Sequence, residues 1–151
     1  MKLAHDRVRF FVSGKPVPKA RPRTMSRGGK SITYTPKATR QWESLVRDTA
    51  ALEMRRRKPL DGPLEVSMQF WMPVPASWTN KKRDAAAGTF HAKKPDVDNL
   101  AKAVLDGMES IVFERDSQVA KLTVSKRYAF EAGDGGAEPG VHVYVYRLLL
   151  S

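Results

Sequence analysis

Between Leu64 and Met72 the apolar residues Leu64, Val66, Met68, Phe70 and Met72 alternate with the polar Glu65, Ser67 and Gln69. A period of two marks a strand with one face buried and one face wet. Such a strand needs a second layer to cover its apolar side. The sequence offers two helices for that layer. Thr35 and Pro36 read as N-cap and first helical residue of a helix running to about Arg57, with Trp42, Leu45, Val46, Thr49 and Leu52 on one stripe. The run Arg55-Arg56-Arg57-Lys58 suits a helix C-terminus, and Pro59 stops it. A second helix is predicted from about Asn99 to Ser110, with Leu100, Val104, Leu105, Met108 and Ile111 facing the core.

Three further strands are expected. One covers residues 7–13, where Val8, Phe10 and Val12 share a face. The other two cover 118–128 and 140–150, with the turn EAGDGGAEPG between them. Residues 14–35 mix Gly14, Pro16, Pro18, Pro22, Gly28 and Gly29 with cations, and read as an extended basic loop. The connection 73–95 holds a short basic helix that Ser77 caps and Gly88 ends. The expectation is one small domain over 1–151, of mixed α/β (α+β) class. It has a mixed sheet of about four strands packed with two long helices.

Composition narrows the function. The 151 residues contain no cysteine, which removes disulfides, thiol nucleophiles and thiolate metal sites. The three histidines, His5, His91 and His142, are far apart, so an imidazole zinc site is not expected. No apolar run reaches membrane-spanning length, and the start lacks the long apolar stretch of a signal peptide, so an intracellular, cytoplasmic location is expected. The net charge is +11, and it is uneven. Residues 1–58 hold 16 basic and 4 acidic side chains; the rest hold 11 and 12. A basic surface of this kind concentrates polyanions, and nucleic acid is the expected partner. A solvated basic face without a partner is the plainer alternative.

The chemistry gathers between Lys93 and Asp116. Read as an extended segment, KKPDVDN puts Asp96 and Asp98 on one side and turns Val97 to the core. Two neighbouring carboxylates repel unless a cation sits between them, and carboxylate oxygens suit Mg²⁺. Lys102 stands one helical turn beyond Asp98, and Asp116 follows the helix closely enough to return beside the pair. Plainer roles exist for each: an N-cap for Asp98, an i,i+4 ion pair for Lys102, a turn for Asp116. The residues alone point to a Mg²⁺-dependent site acting on nucleic acid. With no well-placed histidine as base, hydroxide generated at the ion is the expected nucleophile.

The string KPDVDNLAKAVLDGMESIVFERDSQV resembles the signature of the RusA family of Holliday junction resolvases. The opening FFVSGKPVPKARPR is similar to that family's first strand and its G-x-P-x-P-K-x-R-P-R loop, and SWTNKKR also fits. The resemblance runs from about Phe10 to Tyr128. It implies a small α/β domain that dimerises, of bacterial or phage origin. It also implies Mg²⁺-dependent cutting of four-way DNA junctions during recombination and repair, with Mn²⁺ as a substitute ion. By position, the family's metal-binding carboxylates fall on Asp96, Asp98 and Asp116, and its catalytic lysine on Lys102. The stretch Glu114-Arg115-Asp116 departs from the family's usual acidic pair before S-Q-V, and leaves the role of Glu114 open. Expected DNA contacts are Lys15, Lys19, Arg21, Arg23, Arg27, Lys81, Lys82, Lys93 and Lys94. The apolar tail Leu148–Leu150 of the last strand is a candidate dimer interface. Two other readings stay open: a DNA-binding module with structural carboxylates, and a nuclease of the same chemistry without junction selectivity.

Overall fold

The computed structural model describes residues 7–131 and 136–148. The alternating segment is the strand β4, Leu64–Met72, and its even-numbered residues are buried as the pattern requires. It lies inside a mixed four-stranded sheet with β1 (Arg7–Ser13), β5 (Val119–Tyr128) and β6 (Gly140–Arg147). The strand order is β1-β6-β4-β5. Only the β4–β5 pair is parallel; β6 runs antiparallel to both its neighbours. One face of the sheet is the core. Val8, Phe10 and Val12 from β1, Val66, Met68 and Phe70 from β4, and Val141, Val143 and Val145 from β6 meet the two long helices there.

The opposite face carries Phe11, Trp71, His142 and Tyr144, all half-buried. Phe11 and His142 have ring centroids 4.5 Å apart, and His142 and Tyr144 are 6.5 Å apart and nearly parallel. Because β6 has a strand on each side, the C-terminal strand has no free edge with which to pair a second molecule. The backbone N–H of Leu148 donates to the Pro63 carbonyl, while Leu149 and Leu150 lie outside the described residues.

Helix α1 spans Lys37–Met54, with Pro36 as its N-cap, one residue later than the sequence reading, and it stops earlier than Arg57. Arg55 and Arg56 both take left-handed backbone angles, so the cationic run lies beyond the last turn rather than in it. Its buried stripe is Thr39, Trp42, Val46, Ala50 and Met54. The expected Leu45 and Leu52 are exposed, Leu52 by 79%. The small residues Thr39 and Ala50 mark the face of close approach, which a search for large apolar side chains passes over.

Helix α2 (Asn80–Ala86) is capped by Thr79, not Ser77: the Thr79 hydroxyl accepts from the Lys82 N–H at 3.2 Å. Helix α3 (Val97–Met108) crosses α1 at Gly107. A Cβ there would stand 2.8 Å from Val46 Cγ1 and 3.0 Å from the Glu43 carbonyl oxygen. A glycine inside a helix costs about 1 kcal/mol against alanine. Here it permits the close crossing on which the site geometry depends.

The segment expected as an irregular basic loop is regular in its second half. Strands β2 (Arg23–Arg27) and β3 (Lys30–Tyr34) form a separate antiparallel hairpin, turned by Gly28 and Gly29 with φ of 59° and 78°. A Gly-Gly pair with positive φ is the usual two-residue hairpin turn. The four-strand reading therefore misses two strands, because prolines upstream and dense cations mask them.

Candidate active site

Helix α3 begins two residues before Asn99. Asp96 is its N-cap residue with extended backbone, and Val97 opens the first turn. Val97 is 38% exposed rather than turned to the core, because the extended run ends at Asp96 and the helix has already begun. Asp96 makes no side-chain capping bond, so its carboxylate is not consumed by the helix. Asp98 lies in the first turn, where the helix dipole favours a negative charge, and its Oδ1 accepts from the Asn99 N–H at 3.0 Å. Both carboxylates are exposed.

The entry to this helix is held from behind. Lys126, on β5, donates from Nζ to the carbonyls of Lys93 and Pro95, the latter at 2.6 Å. The Lys94–Pro95 peptide is cis.

Lys102 sits one turn along α3 and is paired away from Asp98. Its Nζ lies 2.7 Å from Asp116 Oδ2 and 2.9 Å from Asp106 Oδ1. Asp106 also binds Lys19 at 3.0 Å, and Lys19 reaches Glu43 of α1 at 2.7 Å. The chain of charges runs Glu43–Lys19–Asp106–Lys102–Asp116 and joins the N-terminal loop, both long helices and the turn after α3. The hydrogen bonds to Asp116 and Asp106 raise the Lys102 pKa well above that of a free lysine, against the opposing effect of burial. The same bond from Lys102 lowers the Asp116 pKa. For Lys19, burial opposes the charge most strongly, yet the bonds to Glu43 and Asp106 prevail and its pKa is raised.

Asp116 begins a short 3₁₀ turn, Asp116–Gln118, that delivers it to Lys102. Two side chains fix that turn. Glu109 Oε1 accepts the Asp116 N–H at 3.1 Å. Gln118 Oε1 accepts the N–H groups of Glu114 and Arg115, while its Nε2 donates to the carbonyls of Leu60 and Gly62, each at 3.0 Å. Glu114 is exposed, and its backbone rather than its carboxylate takes part in the turn.

The structure thus joins Lys102 to Asp116 and leaves Asp96 and Asp98 exposed at the start of the same helix. The donor chemistry fits a hard divalent cation, since all three acids offer carboxylate oxygens. Among the described residues no three histidine or acidic side chains are grouped as a ready cage for an ion. Of the expected DNA contacts, Lys15, Arg21, Arg23, Arg27, Lys81, Lys82, Lys93 and Lys94 are exposed. Lys82 and Lys93 stand over the Trp78 ring at 4.3 and 5.7 Å. Lys19 differs, being half-buried within the carboxylate network.

Sequence reasoning passes over Glu43, Asp106, Glu109, Gln118 and Lys126. The i,i+4 spacing of Lys102 and Asp106 is visible in the chain, and Gln118 holds its turn partly through the nearby Glu114 and Arg115 N–H groups; Glu43, Glu109 and Lys126 join through tertiary packing.

Helix α3 and its N-cap thus present the exposed carboxylates of Asp96 and Asp98 and a charge-locked Lys102, on a chain of net charge +11. The model of the family described as Endodeoxyribonuclease RusA matches residues 13–145, and the chain belongs to that family. It is an endodeoxyribonuclease, and DNA is its partner. The Bacillus subtilis (strain 168) protein YqaN, which is named as uncharacterized, is 35% identical over 130 residues, 83% of this chain and 91% of that protein. Among the described residues no helix is long and apolar enough to cross a membrane.

Proposed function

We propose that this endonuclease resolves four-way DNA junctions by paired, symmetric nicks in a reaction that requires Mg²⁺, with Mn²⁺ as a substitute. The observation that carries the reading is the Lys102–Asp116 pair. It ties the KPDVDN helix to the FERDSQV turn inside the segment that the family model matches. Asp96, Asp98 and Asp116 would hold the ion, which when bound neutralises phosphate charge and makes a water more acidic.

The rest of the chemistry belongs to the chain's own side chains. Lys102 is held protonated by two carboxylates, so at neutral pH it acts as a cation and not as a proton acceptor. Its place is opposite the phosphate as that group gains negative charge toward the transition state. Asp106, anchored by Lys19, holds the ammonium between α3 and the Asp116 turn. His91 and His142 have pKa values lowered chiefly by burial, which leaves both neutral at pH 7.

Two nicks need two sites, and the sequence carries one. A two-fold homodimer matches the symmetry of a four-way junction. The half-buried sheet face with Phe11, Trp71, His142 and Tyr144, on which Phe130 packs against Trp71, is the surface we assign to it; sedimentation at micromolar protein should give twice the chain mass.

The test separates cutting from binding. Asp96→Asn and Asp98→Asn should each slow junction cleavage by about 10³-fold or more at saturating Mg²⁺ while junction affinity persists. Substantial cleavage by both variants would remove these residues from the site.

A further inference from the structure

The β2–β3 hairpin is built differently from the rest of the molecule. All ten of its strand residues are exposed, including Met25 at 47% and Ile32 at 43%. A two-stranded hairpin alone is marginal in water, and large apolar side chains on it gain nothing by facing solvent. The register sorts the side chains into two faces. Arg23 pairs with Tyr34, Met25 with Ile32, and Arg27 with Lys30, so these six share one side. Thr24 with Thr33 and Ser26 with Ser31 form the other, which is entirely hydroxyl-bearing. The first face therefore has an apolar centre between cationic ends.

Charge decides what can cover it. No acidic residue occurs between Asp6 and Glu43, so the arm presents only positive charge. The same arm of a second copy, equally cationic, would be repelled by it. A nucleic acid is attracted, and a two-stranded ribbon fits a DNA groove. Apolar side chains such as Met and Ile are the kind that wedge between base steps, while hydroxyls and arginines bind phosphate oxygens. Strands of this length reach about 17 Å, enough to pass from a backbone to the interior of a branch point.

The root of the arm is fixed to the cutting site. The Lys19 N–H donates to the Asn99 carbonyl at 2.9 Å, and Thr39 Oγ1 donates to the Pro18 carbonyl at 3.3 Å. DNA gripped by the arm is therefore held in register with the helix that carries Asp98 and Lys102.

We propose that the β2–β3 hairpin is the junction-selecting arm: it lodges Met25 and Ile32 against unstacked bases at the branch point, while Arg23, Arg27 and Lys30 grip the flanking phosphates. This rests on the reading of the enzyme as a junction endonuclease, and names how that substrate is told from continuous duplex.

The test uses the full chain and a four-way junction with 2-aminopurine beside the branch point, in EDTA to prevent cutting, with linear duplex as comparison. The wild type should raise 2-aminopurine fluorescence on binding. The double variant M25S/I32S alters only exposed side chains. It should lose the fluorescence rise and about ten-fold of its preference for junction over duplex, the scale expected when packing against a base is removed. R23Q/R27Q/K30Q should instead weaken both substrates together. An unchanged fluorescence rise and unchanged preference in M25S/I32S overturns the arm, even where the wild type cuts junctions normally in Mg²⁺. A dimer in the wild type that becomes a monomer in M25S/I32S without DNA also overturns it, by giving the face to a second copy. If the double variant behaves as expected but the wild type cuts no DNA in Mg²⁺, the arm stands and the nuclease reading falls.

Discussion

Two regions carry the charge chemistry of this molecule, and they are built on opposite plans. From Lys102 to Gln118 the side chains around the lysine are held. Lys102 is fixed by two carboxylates, Asp116 is aimed by Glu109, and Gln118 ties its turn down. From Arg23 to Tyr34, among the described residues, no side chain is held by a hydrogen bond or an ion pair. A cutting site must hold its groups in place before the substrate arrives, since reorganisation during the reaction costs rate. A binding arm gains from the reverse, because free arginines and apolar tips can adapt to a backbone that bends. The division predicts that changes in the first region alter rate and leave affinity, and changes in the second alter affinity and leave the chemistry.

The largest effect that sharpens this contrast is at Lys102. Lys102→Ala should lower the single-turnover rate by about 10²- to 10³-fold with little change in junction Kd. Lys102→Arg should rescue poorly, because a planar guanidinium cannot occupy the compact position between Asp106 and Asp116. Near-normal cutting by Lys102→Ala would make this an ordinary surface lysine.

Next is Gly107→Ala. The new methyl group meets Val46 and the Glu43 carbonyl, so α3 must shift against α1. We expect a stability loss of about 1–3 kcal/mol by chemical denaturation. A reduced cleavage rate should accompany it, because Asp106 precedes Gly107 and Glu43 stands opposite. Full stability and full rate would mean that the helices need not cross so closely.

The smallest effect is electrostatic. Neutralising Arg21, Arg23 and Arg27 together should flatten the log–log salt dependence of binding by about one unit for each phosphate that is no longer gripped. The cleavage rate of bound junction should stay near normal. An unchanged slope would detach this segment from the backbone.

The sequence makes one of the two regions far more legible than the other. The period-two pattern of β4 and the apolar stripe of α3 identify the sheet and its cover, because burial on one face leaves a regular trace. Asp96, Asp98, Lys102 and Asp116 are visible as a motif, and the i,i+4 step from Lys102 to Asp106 is local. What brings Lys19 and Glu43 to Asp106 is not local: it depends on the α1–α3 crossing at Gly107, and a glycine in a helix does not announce what it approaches. The hairpin is hidden for another reason. With both faces wet, its strands lack hydrophobic alternation, and only the Gly28-Gly29 turn marks them. Val97 is misplaced by the sequence reading because the extended geometry set by Pro95 ends at Asp96, where α3 takes over.

The proposed junction cutting requires a divalent ion at the held region. The most direct measurement is cleavage by the wild-type protein of four substrates of matched length: a four-way junction, a linear duplex, a flap and a single-stranded RNA, each with Mg²⁺ and with EDTA. Paired, symmetric nicks are expected in the junction, only with Mg²⁺, with little cutting of the other three. Junction binding without cleavage under any divalent ion, or equal cutting of all four substrates, would contradict the claim.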